Sequence, residues 1–82
     1  MRIDKFLNSV NLTKRRTVAQ DMISNSVVSI NGKVVKASKN VEVGDEIELA
    51  YLKGTKKYRV LELPTLKSTP KSEQERYIKE IS

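Results

Sequence analysis

Cysteine, histidine and tryptophan are absent from the 82 residues, and phenylalanine occurs once. Without cysteine there are no disulfide staples and no thiolate metal sites. Without histidine the commonest zinc ligand and the usual general base are missing. An enzyme built on this chain would work with carboxylates, lysines and tyrosines alone. The three glycines stand apart at 32, 44 and 54, so no glycine-rich loop can cradle a phosphate. Asp4, Asp45 and Glu62 are too isolated in sequence to suggest a metal site. Glu46 and Glu48 read as the solvent side of a strand rather than a glycosidase-like couple, which needs a deep cleft. No apolar run approaches a membrane span, and Met1-Arg2-Ile3-Asp4-Lys5 does not read as a secretory signal. The expectation is a cytoplasmic, non-enzymatic binding module with no cofactor and no metal.

What is present is positive charge, unevenly placed. The formal net charge is +6. Residues 1–40 hold eight Lys/Arg (Arg2, Lys5, Lys14, Arg15, Arg16, Lys33, Lys36 and Lys39) against Asp4 and Asp21, which leaves +6. Residues 41–82 hold eight cations and eight anions and are neutral. A surplus confined to one half points to a polyanion-binding face. No segment couples this charge to bulky Trp, Phe or Leu in the manner of an interfacial membrane helix.

Ile3, Phe6, Leu7 and Val10 recur at helical spacing and predict a first helix over 2–10. Thr13-Lys14-Arg15-Arg16-Thr17 reads as the opening turn of a second helix, with Thr13 as N-cap and Val18, Ala19, Met22 and Ile23 behind it. Arg16 and Gln20 are i, i+4 neighbours toward the polar side, and Arg15 lies nearer the apolar stripe. Cations at a helix N-terminus are disfavoured by about 0.3–1 kcal/mol each. Three in a row, without local compensation, suggest an anionic partner such as phosphate. The plainer alternative is a solvated basic turn. The helix fades at Ser24-Asn25-Ser26, where Asn25 or Ser26 must absorb the turn.

Val27–Ile30 and Lys33–Val35 flank Asn31-Gly32, the strongest short-range hairpin signal. Lys33, Lys36 and Lys39 cluster at and beyond this hairpin; edge-strand protection is the alternative reading. Gly44-Asp45 makes another turn before Glu46–Tyr51, whose Ile47, Leu49 and Tyr51 share a face. Lys53–Lys57 reads as a turn and Tyr58–Leu63 as a strand ended by Pro64. Residues 64–71 form a linker. Ser72-x-x-Glu75 has the form of a capping box and, with a Glu75–Lys79 pair, predicts a last helix over 72–81. Its apolar edge is Tyr77, Ile78 and Ile81. The implied fold is α+β, two N-terminal helices on a small twisted, mainly antiparallel sheet with a short C-terminal helix.

Arg2-Ile3-Asp4-Lys5-Phe6-Leu7, Lys14-Arg15-Arg16, Ala19, Met22-Ile23, Val28-Ser29-Ile30-Asn31-Gly32 and Val43-Gly44-Asp45, in that order, resemble the S-four-type RNA-binding domain, also called the αL RNA-binding motif. The resemblance covers roughly residues 2–50, within a domain assigned to 1–63. The whole chain is similar to the short RqcP-type members, relatives of heat-shock protein fifteen. The resemblance implies a monomer that binds ribosomal RNA and tRNA on stalled large ribosomal subunits carrying peptidyl-tRNA. It implies support for C-terminal alanine tailing by an RqcH-type factor; a recycling role like that of heat-shock protein fifteen is the nearest alternative. The implied RNA-binding residues are Arg2, Lys5, Lys14, Arg15, Arg16, Gln20, Asn31, Lys33 and Lys36, with Asp4 orienting rather than touching. The family usually has glycine where this chain has Ser26.

Two readings from other classes stand beside it. The paired helices suggest a helix–turn–helix DNA binder. The apolar edge of Tyr77, Ile78 and Ile81 suggests a protein-interaction adaptor.

Overall fold

The structure is a computed structural model that describes residues 1–52, 54–64 and 71–81; most of the expected linker lies outside them. Helix α1 spans Ile3–Ser9 and α2 spans Arg16–Ser24. Strands β1 (Val28–Ile30), β2 (Lys33–Val34), β3 (Glu46–Tyr51) and β4 (Gly54–Val60) follow. A 3-10 turn (Lys71–Glu73) leads into the short helix α3 (Gln74–Tyr77) and strand β5 (Ile78–Glu80). The strands form one antiparallel sheet in the order β2-β1-β3-β4-β5. No described helix is long and apolar enough to cross a membrane.

The expected face of α1 holds: Ile3, Phe6, Leu7 and Val10 are fully buried against Val28, Ile47, Leu49 and Val60 of the sheet layer. The helix stops because Asn11 turns left-handed, at φ 64°. The Leu12 N–H then returns to the Leu7 carbonyl (3.0 Å) and the Asn11 N–H to that of Asn8 (3.1 Å), closing a Schellman cap.

Helix α2 begins two residues later than its sequence suggests, with Arg15 rather than Thr13 at the N-cap position. Thr13 is buried; its N–H donates to the Leu7 carbonyl (3.2 Å) and its hydroxyl to the Arg15 carbonyl (3.2 Å). It is consumed in closing the turn after α1. Arg15 occupies the N-cap position with extended backbone and no side-chain cap. The inward stripe of α2 is also rotated. Ala19 and Ile23 are buried, whereas Val18 and Arg15 are exposed. At 100° per residue, Arg16, Ala19, Gln20 and Ile23 form one stripe. Two polar residues on it reach toward α1, Gln20 partly buried and Arg16 about half exposed.

Ser26 itself takes the left-handed conformation at the end of α2, at φ 60°. A second Schellman cap forms there, from the Val27 N–H to the Met22 carbonyl (3.2 Å) and the Ser26 N–H to that of Ile23 (3.0 Å). The serine therefore does the work of the family's glycine without widening the turn. Asn31 and Gly32, at φ 51° and 85°, make the anticipated type I′ hairpin.

The C-terminal segment departs from expectation. The helix ends at Tyr77 and the capping box does not form; Glu73 holds the N-cap position without a side-chain hydrogen bond. Ile78 goes extended and pairs with Val60, as Lys79 does with Arg59 and Glu80 with Tyr58. An isolated ten-residue helix is marginal, whereas β4 offers an open edge and a place to bury Tyr77 and Ile78. These two side chains are therefore spent inside the fold, which removes most of the surface an adaptor would present. Strand β4 also starts earlier than expected, at Gly54, because Gly54–Lys57 pairs with Glu48–Tyr51.

Candidate nucleic-acid interface

The site grows from a carboxylate. Asp4, in the first turn of α1, is fully buried yet charged. A buried charge is tolerated only when its lone pairs are filled. Gln20 Nε2 donates to Oδ2 at 3.1 Å, Arg16 Nε to Oδ2 at 3.2 Å and Arg16 Nη2 to Oδ1 at 3.5 Å. The Lys5 N–H donates to Oδ1 at 2.8 Å and Arg2 Nη2 to Oδ2 at 3.4 Å. Burial on its own pushes the Asp4 carboxyl up. The hydrogen bonds from Gln20, Arg16 and the Lys5 N–H, with the Arg16 charge, outweigh it and hold the group below its ordinary value.

This arrangement explains the polar stripe on α2. Arg16 and Gln20 turn inward because Asp4 waits on α1. The Arg16 side chain stays about half exposed. Two of its five N–H groups serve Asp4, which leaves three for an external acceptor among the described contacts.

Arg2 carries the site toward the hairpin. Besides reaching Asp4, its Nε donates to the Ala37 carbonyl at 3.5 Å, and its backbone forms a β-bridge with Asn40. The Ile3 N–H donates to the Lys39 carbonyl at 2.8 Å. The N-terminus of α1 is thereby tied to the segment after β2. Lys33, Lys36 and Lys39 line one open concavity there.

Among the described residues, Lys5, Lys14, Arg15, Lys33, Lys36 and Lys39 are exposed and take part in no ion pair. Cations of β4 and α3 are instead compensated: Lys56 pairs with Glu80, Lys57 with Glu48, Arg59 with Glu46 and Arg76 with Glu62. Lys79 of β5 is exposed and joins no ion pair among the described residues, so the charge asymmetry of the sequence shows mainly as the six unpaired cations of residues 1–40.

Two expected site residues have work inside the protein. The Gln20 amide is committed to Asp4. The Asn31 side chain spans to β3, with Oδ1 accepting from the Glu46 N–H (3.0 Å) and Nδ2 donating to Asp45 Oδ1 (3.2 Å). Both hold the cations' supports in place. The expected set omitted Lys39 and gave Asp4 only as an orienting residue. The signal for Asp4 was available, since it is the sole acid in the first twenty residues, surrounded by cations. No group of acidic side chains that could hold a metal ion occurs among the described residues.

Residues 1–47 match the family model for the S4 domain. The chain belongs to the S4 domain family. Among curated relatives, the RQC P-site tRNA stabilizing factor of Helicobacter pylori (strain ATCC 700392 / 26695) is 51% identical over 78 residues, covering 95% of this chain and 93% of that one. The protein of the same name from Bacillus subtilis (strain 168) is 39% identical over 74 residues, covering 90% and 83%. Heat-shock protein 15 of Vibrio cholerae, described as trimeric, superimposes with a TM-score of 0.90 at 27% identity, over all of this chain and 82% of its own. The solution structure of a hypothetical protein gives 0.87 at 49% identity, over all of this chain and 98% of that one. The family match ends inside β3, so β4, α3 and β5 lie beyond it.

Proposed function

We propose that this chain is an RNA-binding protein of ribosome-associated quality control that holds tRNA against the large ribosomal subunit after a stall. The observation that carries the reading is the face of unpaired cations built around the Asp4–Arg16 pair. The names of its curated relatives supply the RNA and its setting. Arg16, held by Asp4, makes a charge-assisted contact to phosphate. Arg2, Lys5, Lys14 and Arg15 add charge beside it, and Lys33 and Lys36 grip a neighbouring stretch of backbone. Gln20 and Asn31 act as positioning residues. Contacts of this kind fix register and orientation rather than read bases. The bound RNAs are ribosomal RNA and peptidyl-tRNA of the obstructed large subunit, in the cytoplasm. The chain there supports C-terminal alanine tailing by an RqcH-type factor.

The test is co-sedimentation with large subunits carrying peptidyl-tRNA, followed by tailing assays with an RqcH-type factor. Wild type is expected in the subunit fraction, and Arg16→Ala in the supernatant as salt is raised. Equal binding by both proteins rejects the role of Arg16. Equal tailing with and without the chain rejects the role in alanine addition. Competition with duplex DNA separates this reading from the helix–turn–helix one.

A further inference from the structure

The helix-facing side of the sheet is not fully covered. On β3 and β4 the cross-strand pairs Ile47–Tyr58, Leu49–Lys56 and Tyr51–Gly54 succeed one another along this face. The first pair lies near the core, but the last runs out beyond the helices. Tyr58 is half-buried, Tyr51 and Lys56 are exposed, and Leu52 is wholly exposed. Together with Asn11 and Leu12 of the α1–α2 turn and Gln74 of α3, they line an open groove of about 810 Å³. Burial raises the Tyr58 phenol, and the neighbouring Tyr51 and Glu80 add to that effect. Lys56 stands between them in the register. Among the described residues its ammonium pairs with Glu80, at 3.9 Å across an exposed pair, a contact that contributes little and is readily exchanged.

Two aromatic rings with a cation between them, on an open sheet face, match the chemistry of an unpaired nucleotide. The base stacks on a ring and its phosphate takes the lysine. An aliphatic ligand would need neither feature. The groove also adjoins the cationic face: Leu12 on its wall is two residues from Lys14, which is about 7 Å of chain.

The geometry points to a second RNA subsite, in which the groove of Tyr51, Lys56 and Tyr58 stacks an unpaired nucleotide of an RNA whose backbone lies on the Arg16 face. This rests on the RNA-binding reading above and adds to it a preference for a strand that is locally single.

The experiment compares a short single-stranded oligoadenylate with a blunt RNA duplex, using intrinsic fluorescence and direct affinity measurement. Tyrosine is the sole emitter because the chain has three tyrosines and no tryptophan. Of these, Tyr77 is buried. Oligoadenylate is expected to quench the emission of wild type more than the duplex does. Tyr51→Leu keeps apolar bulk at an exposed site and so preserves the fold, as circular dichroism would verify. It is expected to weaken oligoadenylate binding about fivefold or more while duplex binding stays unchanged, and Tyr51→Phe is expected to restore it. Unchanged affinity of Tyr51→Leu for oligoadenylate overturns the subsite. If Tyr51→Leu also loses large subunits without any change toward oligoadenylate, the groove belongs to a protein partner and the proposal is again overturned. Failure of the RNA-binding reading is separately visible, because wild type would then bind neither RNA and Arg16→Ala would change nothing.

Discussion

Arg16 on α2 and Asp4 on α1 are locked together by two donors, Nε at 3.2 Å and Nη2 at 3.5 Å. The carboxylate is fully buried and the guanidinium is half in solvent. One end of the pair fastens the two helices, while the other offers charge to the outside. The fold and the candidate binding face therefore depend on the same contact.

Asp4→Asn is expected to destabilise the protein by about 2 kcal/mol, the range for losing hydrogen bonds to a charged group. It leaves one oxygen for donors that now share two. Urea unfolding with an unchanged m-value measures the loss. The same variant is expected to weaken RNA binding although Asp4 is itself negative, because Arg16 is released from its support. A purely electrostatic role for Asp4 requires tighter binding instead.

The pH dependence follows from the same group. The pKa of Asp4 is depressed in the folded state. Its contribution to stability is therefore fully present above the unfolded value, about pH 4. It is lost as pH falls through the folded value. Unfolding free energy of wild type should decline more steeply with acid than that of Asp4→Asn. Parallel curves for the two proteins reject the assignment.

Ser26 holds a left-handed backbone that glycine adopts without steric cost. Non-glycine residues lose about 1–2 kcal/mol there, and glycine forfeits part of that through chain entropy. Ser26→Gly is expected to stabilise the protein by about 0.5–1 kcal/mol, raising Tm by several degrees in a domain of this size. RNA affinity should be unaltered, since the cap geometry is already formed in the serine protein.

Removing single cations should change the salt dependence of RNA binding stepwise. For every phosphate that is no longer neutralised, the slope of log K against log salt becomes shallower by about 0.9 on a duplex. Lys14→Ala and Lys36→Ala are expected to do this without loss of stability, because neither takes part in an ion pair among the described residues. Arg16→Lys is expected to behave worse than its retained charge suggests, since an ammonium cannot reproduce the forked contact to Asp4.

The features legible in the sequence are those set by neighbours along the chain. The face of α1 follows from the spacing of Ile3, Phe6, Leu7 and Val10, and the hairpin from the positive φ that Asn31-Gly32 accepts. The start of α2 was not legible, because the Thr13 N–H is claimed by Leu7, on another helix. Its inner stripe was hidden for a related reason: hydrophobic periodicity overlooks Arg16 and Gln20, whose partner is a carboxylate twelve and sixteen residues away. Around the last helix, local signals pointed the wrong way. Ser72, Glu75 and Lys79 all favour a helix, but the open edge of β4 takes Ile78–Glu80 into the sheet. Of the candidate site, the cations were readable from charge counts and Asp4 as an orienting residue from the family resemblance, whereas its full burial and its joint hold on Arg2, Arg16 and Gln20 were not.

The concentration of unpaired cations in residues 1–40, against the compensated cations of β4 and α3, has a kinetic consequence. The molecule measures 26 × 25 × 22 Å, while electrostatic influence fades over about 8 Å at physiological ionic strength. A polyanion approaching β4 and α3 senses a weaker field than one approaching α1, α2 and the β1–β2 hairpin. The protein is in effect a small electric dipole, turned by torque before it touches. It should reach its target already oriented, with fewer unproductive collisions, and this advantage should vanish from the association rate, ahead of any change in dissociation, as salt is added.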